Sequence, residues 1–213
     1  PLLMIKKMNK TIIETYPRSG HHYLVNGLLF RLSDDIKYCE VYKHCNHVPC
    51  IDENTTLQKT HDFKLEDKIL DGYKYIIQYR HPYESIVSYY ILEAENPRNN
   101  LKYSLDSWKS FFKEKLTYWK EFMLKWCFND DYNKDFYYLQ YYDLINNQSK
   151  ILKDLIEFLD LKTESLDKIK NLPKIKKNDI YSFRFFNEED VKFSEQQNDF
   201  IINLSHHPQE PPY

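Results

Sequence analysis

Three short segments carry residues whose types and spacing suit work on an anion. The first is Tyr16-Pro17-Arg18-Ser19-Gly20-His21-His22-Tyr23, a turn between an apolar run and a stretch with helical spacing. Amides at a helix start lack intrahelical partners, and the helix dipole adds partial positive charge there. Gly20 lets backbone approach an oxygen, Ser19 offers a hydroxyl, and Arg18 brings a permanent charge on a planar donor fork. The second segment is Lys59-Thr60-His61. On an extended chain Lys59 and His61 fall on one face. A histidine there can take a proton near neutral pH, and a lysine can neutralise a transferring group. The third is Arg80 to Tyr90, RHPYESIVSYY, in which Arg80 closes a strand pattern and Ser88 lies two helical turns further on. Taken singly, each also reads as an ordinary turn, strand end or helix start.

The elements that must position these residues follow from hydrophobic pattern. Short apolar runs at 10–15 (KTIIET), 56–59, 73–79 (YKYIIQY) and 136–142 (FYYLQYY) predict strands. Helical spacing predicts helices over 21–32, from Pro82 to about residue 95, and over 105–128, 150–159 and 193–204. Proline suits the first turn of a helix, where its missing amide has no intrahelical partner anyway. Residues 38–53 read as irregular. Strands alternating with helices predict an α/β fold, a parallel sheet covered by helices on both faces. In such sheets ligands sit beyond the carboxyl ends of the strands.

Composition narrows the function classes. The 213 residues contain 30 Lys+Arg against 32 Asp+Glu, so nothing favours a nucleic-acid partner, although a local basic pocket remains compatible. No apolar run approaches the roughly 20 residues that span a bilayer. The first residues, PLLMIKKM, are too short and wrongly ordered for a signal peptide. With only four cysteines in a chain of this length, the expected location is a reducing cytoplasm. One domain over residues 1–204 with a loose tail over 205–213 is expected. Oligomeric state is not encoded in any pattern here.

Jointly, the three segments resemble the sulfotransferases that use 3′-phosphoadenosine 5′-phosphosulfate (PAPS). The family's 5′-phosphosulfate loop looks like Y-P-[KR]-S-G-T-T-W, against YPRSGHHY here. Its catalytic strand reads K-T-H, found as Lys59-Thr60-His61. Its 3′-phosphate motif looks like R-[DN]-P-x-[DE]-x-x-x-S-Y-Y, against RHPYESIVSYY, and a later Y-x-D-L element is matched by Tyr141-Tyr142-Asp143-Leu144.

The resemblance implies a three-layer sandwich of the P-loop-NTPase-like sulfotransferase fold. It implies that Arg18, Ser19, Gly20 and the amides of His21 and His22 hold the 5′-phosphosulfate. Arg80 and Ser88 would hold the 3′-phosphate, and Tyr141 would lie near adenine. His61 would deprotonate the acceptor, a hydroxyl or amine on a small molecule or glycan. Lys59 and Arg18 would stabilise the sulfuryl oxygens and the leaving phosphate, so the scheme requires no metal; the spent nucleotide is 3′-phosphoadenosine 5′-phosphate (PAP).

The departures are specific. His21-His22 replace two hydroxyl residues, and either histidine could compete with His61 as base. Tyr23 replaces a tryptophan and can stack in its place. Arg18 replaces a lysine usual in cytosolic members; arginine there is commoner among carbohydrate-acting ones. The family's R-K-G-x-x-G-D-W-K closure segment survives only as Ser182-Phe183-Arg184-Phe185-Phe186-Asn187 followed by Phe193-Ser194-Glu195-Gln196, with Arg184 as the candidate phosphate contact. These departures leave open a nucleotide- or partner-binding protein without transfer activity. By contrast, a P-loop kinase is disfavoured, because the GxxxxGK[ST] pattern is absent and no Ser/Thr that could hold magnesium follows Gly20.

Two further features lie outside the resemblance. Cys39, His44, Cys45, His47 and Cys50 cluster between the first helix and the second strand. Their spacings do not make the paired CxxC pattern of structural zinc. A packed loop is the plain reading, with zinc, a disulfide or contact with the acceptor as alternatives. Trp108, Phe111, Phe112, Tyr118, Trp119 and Phe122 form a stripe at helical spacing and read as core. The charged stretch 168–177 reads as a solvated face.

Overall fold

The computed structural model describes residues 10–34, 36–128, 135–161 and 182–197. Among these residues, five parallel strands lie in the order β2-β3-β1-β4-β5: β1 (Thr11–Thr15), β2 (Tyr38–Glu40), β3 (Leu57–Thr60), β4 (Lys74–Tyr79) and β5 (Phe136–Gln140). The central strand is β1, whose five residues are all buried. Its side chains alternate between two cores, as a pleated strand covered on both faces must. Ile12, Tyr75 and Ile77 point into one core with helices α2 (Pro82–Glu95) and α3 (Leu105–Trp126). Ile13, Ile76 and Leu139 point into the other with α5 (Gln148–Phe158) and the helix after β1. The result is the expected three-layer arrangement. Among the described residues no helix is long and apolar enough to cross a membrane.

The segment after β1 departs from plain α-helix. Helical backbone begins at His21, Tyr23–Leu29 is π-helical, and a single α-turn, α1 (Phe30–Leu32), ends it. The wider winding still puts Leu24, Val25, Leu28 and Leu29 into the core. Stretches of π-helix are uncommon and frequently sit at functional sites.

Elsewhere the boundaries moved for identifiable reasons. Residues 38–53 are not wholly irregular: β2 adds an edge strand to β3, with Cys39 opposite Gln58 and Glu40 opposite Lys59. A three-residue strand is too short to show alternation. The strand expected through 142 stops at Gln140, and Tyr141 opens helix α4 (Tyr141–Asn146), with Asp143 complementing the dipole in its first turn. The last described helix, α6 (Glu188–Gln197), begins five residues before the expected 193. The Asn187 side chain accepts from the Glu189 amide at 2.8 Å, and Glu188, Glu189 and Asp190 fill the first turn, so the start lies in polar capping rather than in the apolar pattern. The expected continuation through 204, the charged stretch 168–177 and the tail 205–213 lie outside the described residues.

The aromatic stripe of α3 is core, as expected, and it also pins two strand ends. Trp119 Nε1 donates to the Arg80 carbonyl at 3.0 Å, and Tyr118 Oη donates to the His61 carbonyl. Tyr16 Oη reaches the Lys115 carbonyl at 2.9 Å. One helix therefore fixes the backbone just beyond β1, β3 and β4.

Candidate active site

Immediately past those strand ends come Arg18, His61 and Arg80. They face a cleft of about 440 Å³ lined by Arg18, Gly20, His21, His22, Tyr23, Glu40, Lys59, His61, Phe63, Arg80, Ser88 and Tyr141 among others. Arg18 and Tyr141, 123 positions apart in sequence, thus meet, because β1 lies between β3 and β4.

The loop after β1 is shaped by two left-handed residues, Arg18 at φ +67° and Gly20 at φ +89°. At Gly20 a side chain is sterically excluded. A Cβ there would lie 2.6 Å from Cδ2 and 2.8 Å from Cε2 of the Tyr141 ring. The same ring carries the Arg80 guanidinium, whose carbon is 4.2 Å from the ring centroid. Arg80 is nearly buried and donates from Nε to Glu84 Oε2 at 2.8 Å. Arg18 is exposed, and its Nε donates to Ser88 Oγ at 3.0 Å. Arg18, Ser88, Arg80 and Tyr141 therefore form one cationic wall.

The opposite wall is a hydrogen-bonded chain. His61 Nδ1 lies 2.6 Å from the Thr15 carbonyl, which can only accept, so Nδ1 carries the proton and Nε2 is a lone pair. Lys59 Nζ donates to that Nε2 at 2.6 Å and to Glu40 Oε1 at 3.0 Å. Tyr38 Oη donates to Glu40 Oε2 at 3.4 Å and sits 2.6 Å from His21 Nε2. Burial, reinforced by the Lys59 charge, pushes the His61 imidazolium down to about 3. Burial and then Lys59 also hold His21 well below the usual histidine range. Both rings are neutral at neutral pH. The Lys59 ammonium is disfavoured by burial and supported by Glu40. Burial raises Glu40, but the hydrogen bond and charge of Lys59 outweigh it and hold the carboxyl low.

Most of the sequence candidates meet here: Arg18, Gly20, His21, His22, Tyr23, Lys59, His61, Arg80, Ser88 and Tyr141 all line the cleft. Ser19 does not; its Oγ is buried without a partner. Arg184 is not brought to the cleft either, but lies exposed over the rings of Phe185 and Tyr103 at 4.5 and 5.8 Å. Glu40, Tyr38 and Phe63 were not singled out from sequence. For Glu40 the missing signal was the β2–β3 register that sets it opposite Lys59.

The donor set suits a nucleotide bearing a phosphosulfate and a further phosphate. Cations line two sides, a backbone cradle excludes side chains at Gly20, and one polar atom of a lining residue, His21 Nδ1, is buried and unpartnered. Residues 8–200 match the family model described as sulfotransferase domain. The chain belongs to the sulfotransferase family. No curated protein sequence matches it. Among solved structures it is similar to mouse sulfotransferase SULT7A1 complexed with PAP, at TM-score 0.65 and 16% identity, covering 94% of this chain and 89% of that one. The sulfotransferase domain of the Synechococcus PCC 7002 olefin synthase is similar at TM-score 0.54 and 14% identity, with 88% and 94% covered. A retinol dehydratase in complex with retinol and PAP is similar at TM-score 0.57 and 16% identity, with 95% and 83% covered. At these identities the structures establish the fold, which is the α/β sulfotransferase fold expected from the motifs.

Proposed function

We propose that this sulfotransferase binds PAPS in the cleft and moves its sulfuryl group to a hydroxyl or amine of a small-molecule or glycan acceptor. The observation that carries the reading is the convergence of Arg18, Lys59, His61, Arg80 and Ser88 on one cleft beyond β1, β3 and β4. Two of the similar structures were solved with PAP.

In this reading the cationic wall of Arg80, Ser88 and Tyr141 takes the 3′-phosphate and adenine end. The Gly20 loop, Arg18 and Lys59 take the phosphosulfate. His61 Nε2 accepts the acceptor proton while the acceptor oxygen or nitrogen bonds to sulfur. The bond between sulfur and the bridging oxygen breaks, and its electron pair leaves on the 5′-phosphate of PAP. Lys59 has two tasks in sequence. Before cofactor binds it occupies His61 Nε2; the arriving sulfuryl oxygens draw the ammonium toward themselves and free that lone pair. The base is thereby exposed only when there is a group to transfer. As in phosphoryl transfer, positioning and fixed charge dominate, and the histidine contributes ~10²–10⁴-fold.

The test is transfer from labelled PAPS to a panel of hydroxyl and amine acceptors, run with wild type and His61→Ala. Expected is label on at least one acceptor class, lost by about 10²-fold or more in the variant with PAP affinity retained. Full activity in His61→Ala would sink the base assignment and redirect it to exposed His22, which also lines the cleft.

A further inference from the structure

Outside the anion contacts of the cleft, the described residues hold a second concentration of chemistry at the outer edge of the sheet. Cys39 lies on β2, buried; Cys45 pairs through a β-bridge with Val41; Cys50 lies five residues beyond. All are free thiols, and their three Sγ atoms lie within 4.8 Å of one another. Cys39 and Cys45 Sγ are 3.0 Å apart, too far for a disulfide bond of about 2.05 Å and closer than two uncharged thiols rest comfortably.

From these observations we infer that Cys39, Cys45 and Cys50 form a metal site for a thiophilic cation of the zinc(II) or copper(I) class. Metal–sulfur bonds of about 2.3 Å place the sulfurs of a tetrahedral or trigonal site roughly 3.8–4.0 Å apart. The three thiols, all within 4.8 Å of one another, bracket that size with the 3.0 Å pair, and the cation would relax the short pair outward and draw in the third. Among the described residues no His, Asp or Glu joins the cluster, so the protein supplies three ligands and leaves a further position to water or to none. Three sulfur donors select soft cations over magnesium or calcium.

The surroundings are organised as supporting residues of a metal site are. Gln58, buried on β3, donates from Nε2 to the His47 carbonyl at 2.6 Å and to Cys45 Sγ at 3.5 Å. Its Oε1 accepts from the Cys50 amide at 2.9 Å. Thr55 Oγ1 donates to Cys50 Sγ at 3.3 Å. Each donor aimed at sulfur favours a thiolate. The sequence spacing concealed this, because the paired-CxxC template does not describe ligands brought together by a strand, a bridge and a loop. A cation here fastens residues 41–50 to β2 beside Glu40, the partner of Lys59.

The test is independent of sulfuryl transfer. Full-length protein, purified under reductant and stripped of metal, is dialysed against zinc(II) beside a competing chelator of micromolar affinity, and in parallel titrated with cobalt(II) and with copper(I). Expected is one zinc or copper ion per chain, a sulfur-to-cobalt charge-transfer band, and a raised melting temperature on loading. Cys45→Ser and Cys50→Ser, both at partly exposed positions, lose the ion while keeping the wild-type circular dichroism; Cys127→Ser, buried at the end of α3 and outside the cluster, keeps it. Retention of copper alone assigns the copper arm. Zinc and copper both lost to the chelator by wild type, retention by Cys50→Ser, or a Cys39–Cys45 disulfide persisting under reductant would each overturn the site.

Discussion

Replacing Gly20 by alanine perturbs one contact whose consequences reach both ends of the bound nucleotide. The backbone at Gly20 has φ +89°, and alanine pays about 1–2 kcal/mol to hold a left-handed conformation. Its Cβ would stand 2.6 Å from the Tyr141 ring, which must retreat or force the loop aside, at about 1–3 kcal/mol for overpacking. The sum, about 2–5 kcal/mol, is large against the 5–15 kcal/mol typical of a domain but leaves it folded over most of that range. Retreat of the ring also withdraws it from Arg80, 4.2 Å from its centroid, and a half-buried cation–π contact is worth about 1 kcal/mol. Urea unfolding should therefore show a loss of about 2–5 kcal/mol, and calorimetry should show PAP binding weakened by at least about fivefold. A variant within about 0.5 kcal/mol of wild type, with unchanged PAP affinity, would refute the coupling of the loop to Arg80 through Tyr141.

The remaining predictions concern the opposite wall. Glu40→Gln removes the counter-charge of buried Lys59, so the ammonium is lost at lower pH; the alkaline limb of kcat should move down while PAP binding at acid pH is retained, and an unmoved limb would exclude the pairing as functional. Neutral His61, held down to about 3 in the folded chain, protonates near 6.5 once unfolded, so unfolding takes up a proton between those values. Its contribution to stability is intact above about pH 6.5 and falls as pH drops toward 3, by about 2–5 kcal/mol. His61→Asn should flatten the melting-temperature profile between pH 6.5 and 4 relative to wild type, with the part due to His21 remaining; identical profiles would show that the ring is not buried neutral.

Much of this site is written locally. The turn, the K-T-H strand and the Arg80–Ser88 helix each carry side chains with clear chemistry, and the apolar runs place them at strand ends. The parallel sheet that gathers them follows from alternating strands and helices. What escaped is what depends on pairing between distant segments. Glu40 matters only because a three-residue edge strand sets it opposite Lys59. Tyr118 and Trp119 read as core because nothing in helical spacing says that their polar tips reach the His61 and Arg80 carbonyls. The cysteine cluster was visible, with zinc among its alternatives, but its spacing did not say that the three thiols gather without His44 or His47. Ser19 was chosen from its loop position and the motif it shares with the family, and its buried hydroxyl does not line the cleft.

On the proposed reading the cleft is built for a nucleotide with a 3′-phosphate. Calorimetry comparing PAP with ADP and ATP, on wild type and on Arg80→Ala, tests it most directly. A 3′-phosphate, which PAP carries and ADP lacks, contributes about 1.5–3 kcal/mol when held by charge-assisted hydrogen bonds, so PAP should bind about 10–100-fold tighter than ADP, and Arg80→Ala should bring the two together. ADP or ATP binding to wild type as tightly as PAP would rule out a 3′-phosphate site at Arg80.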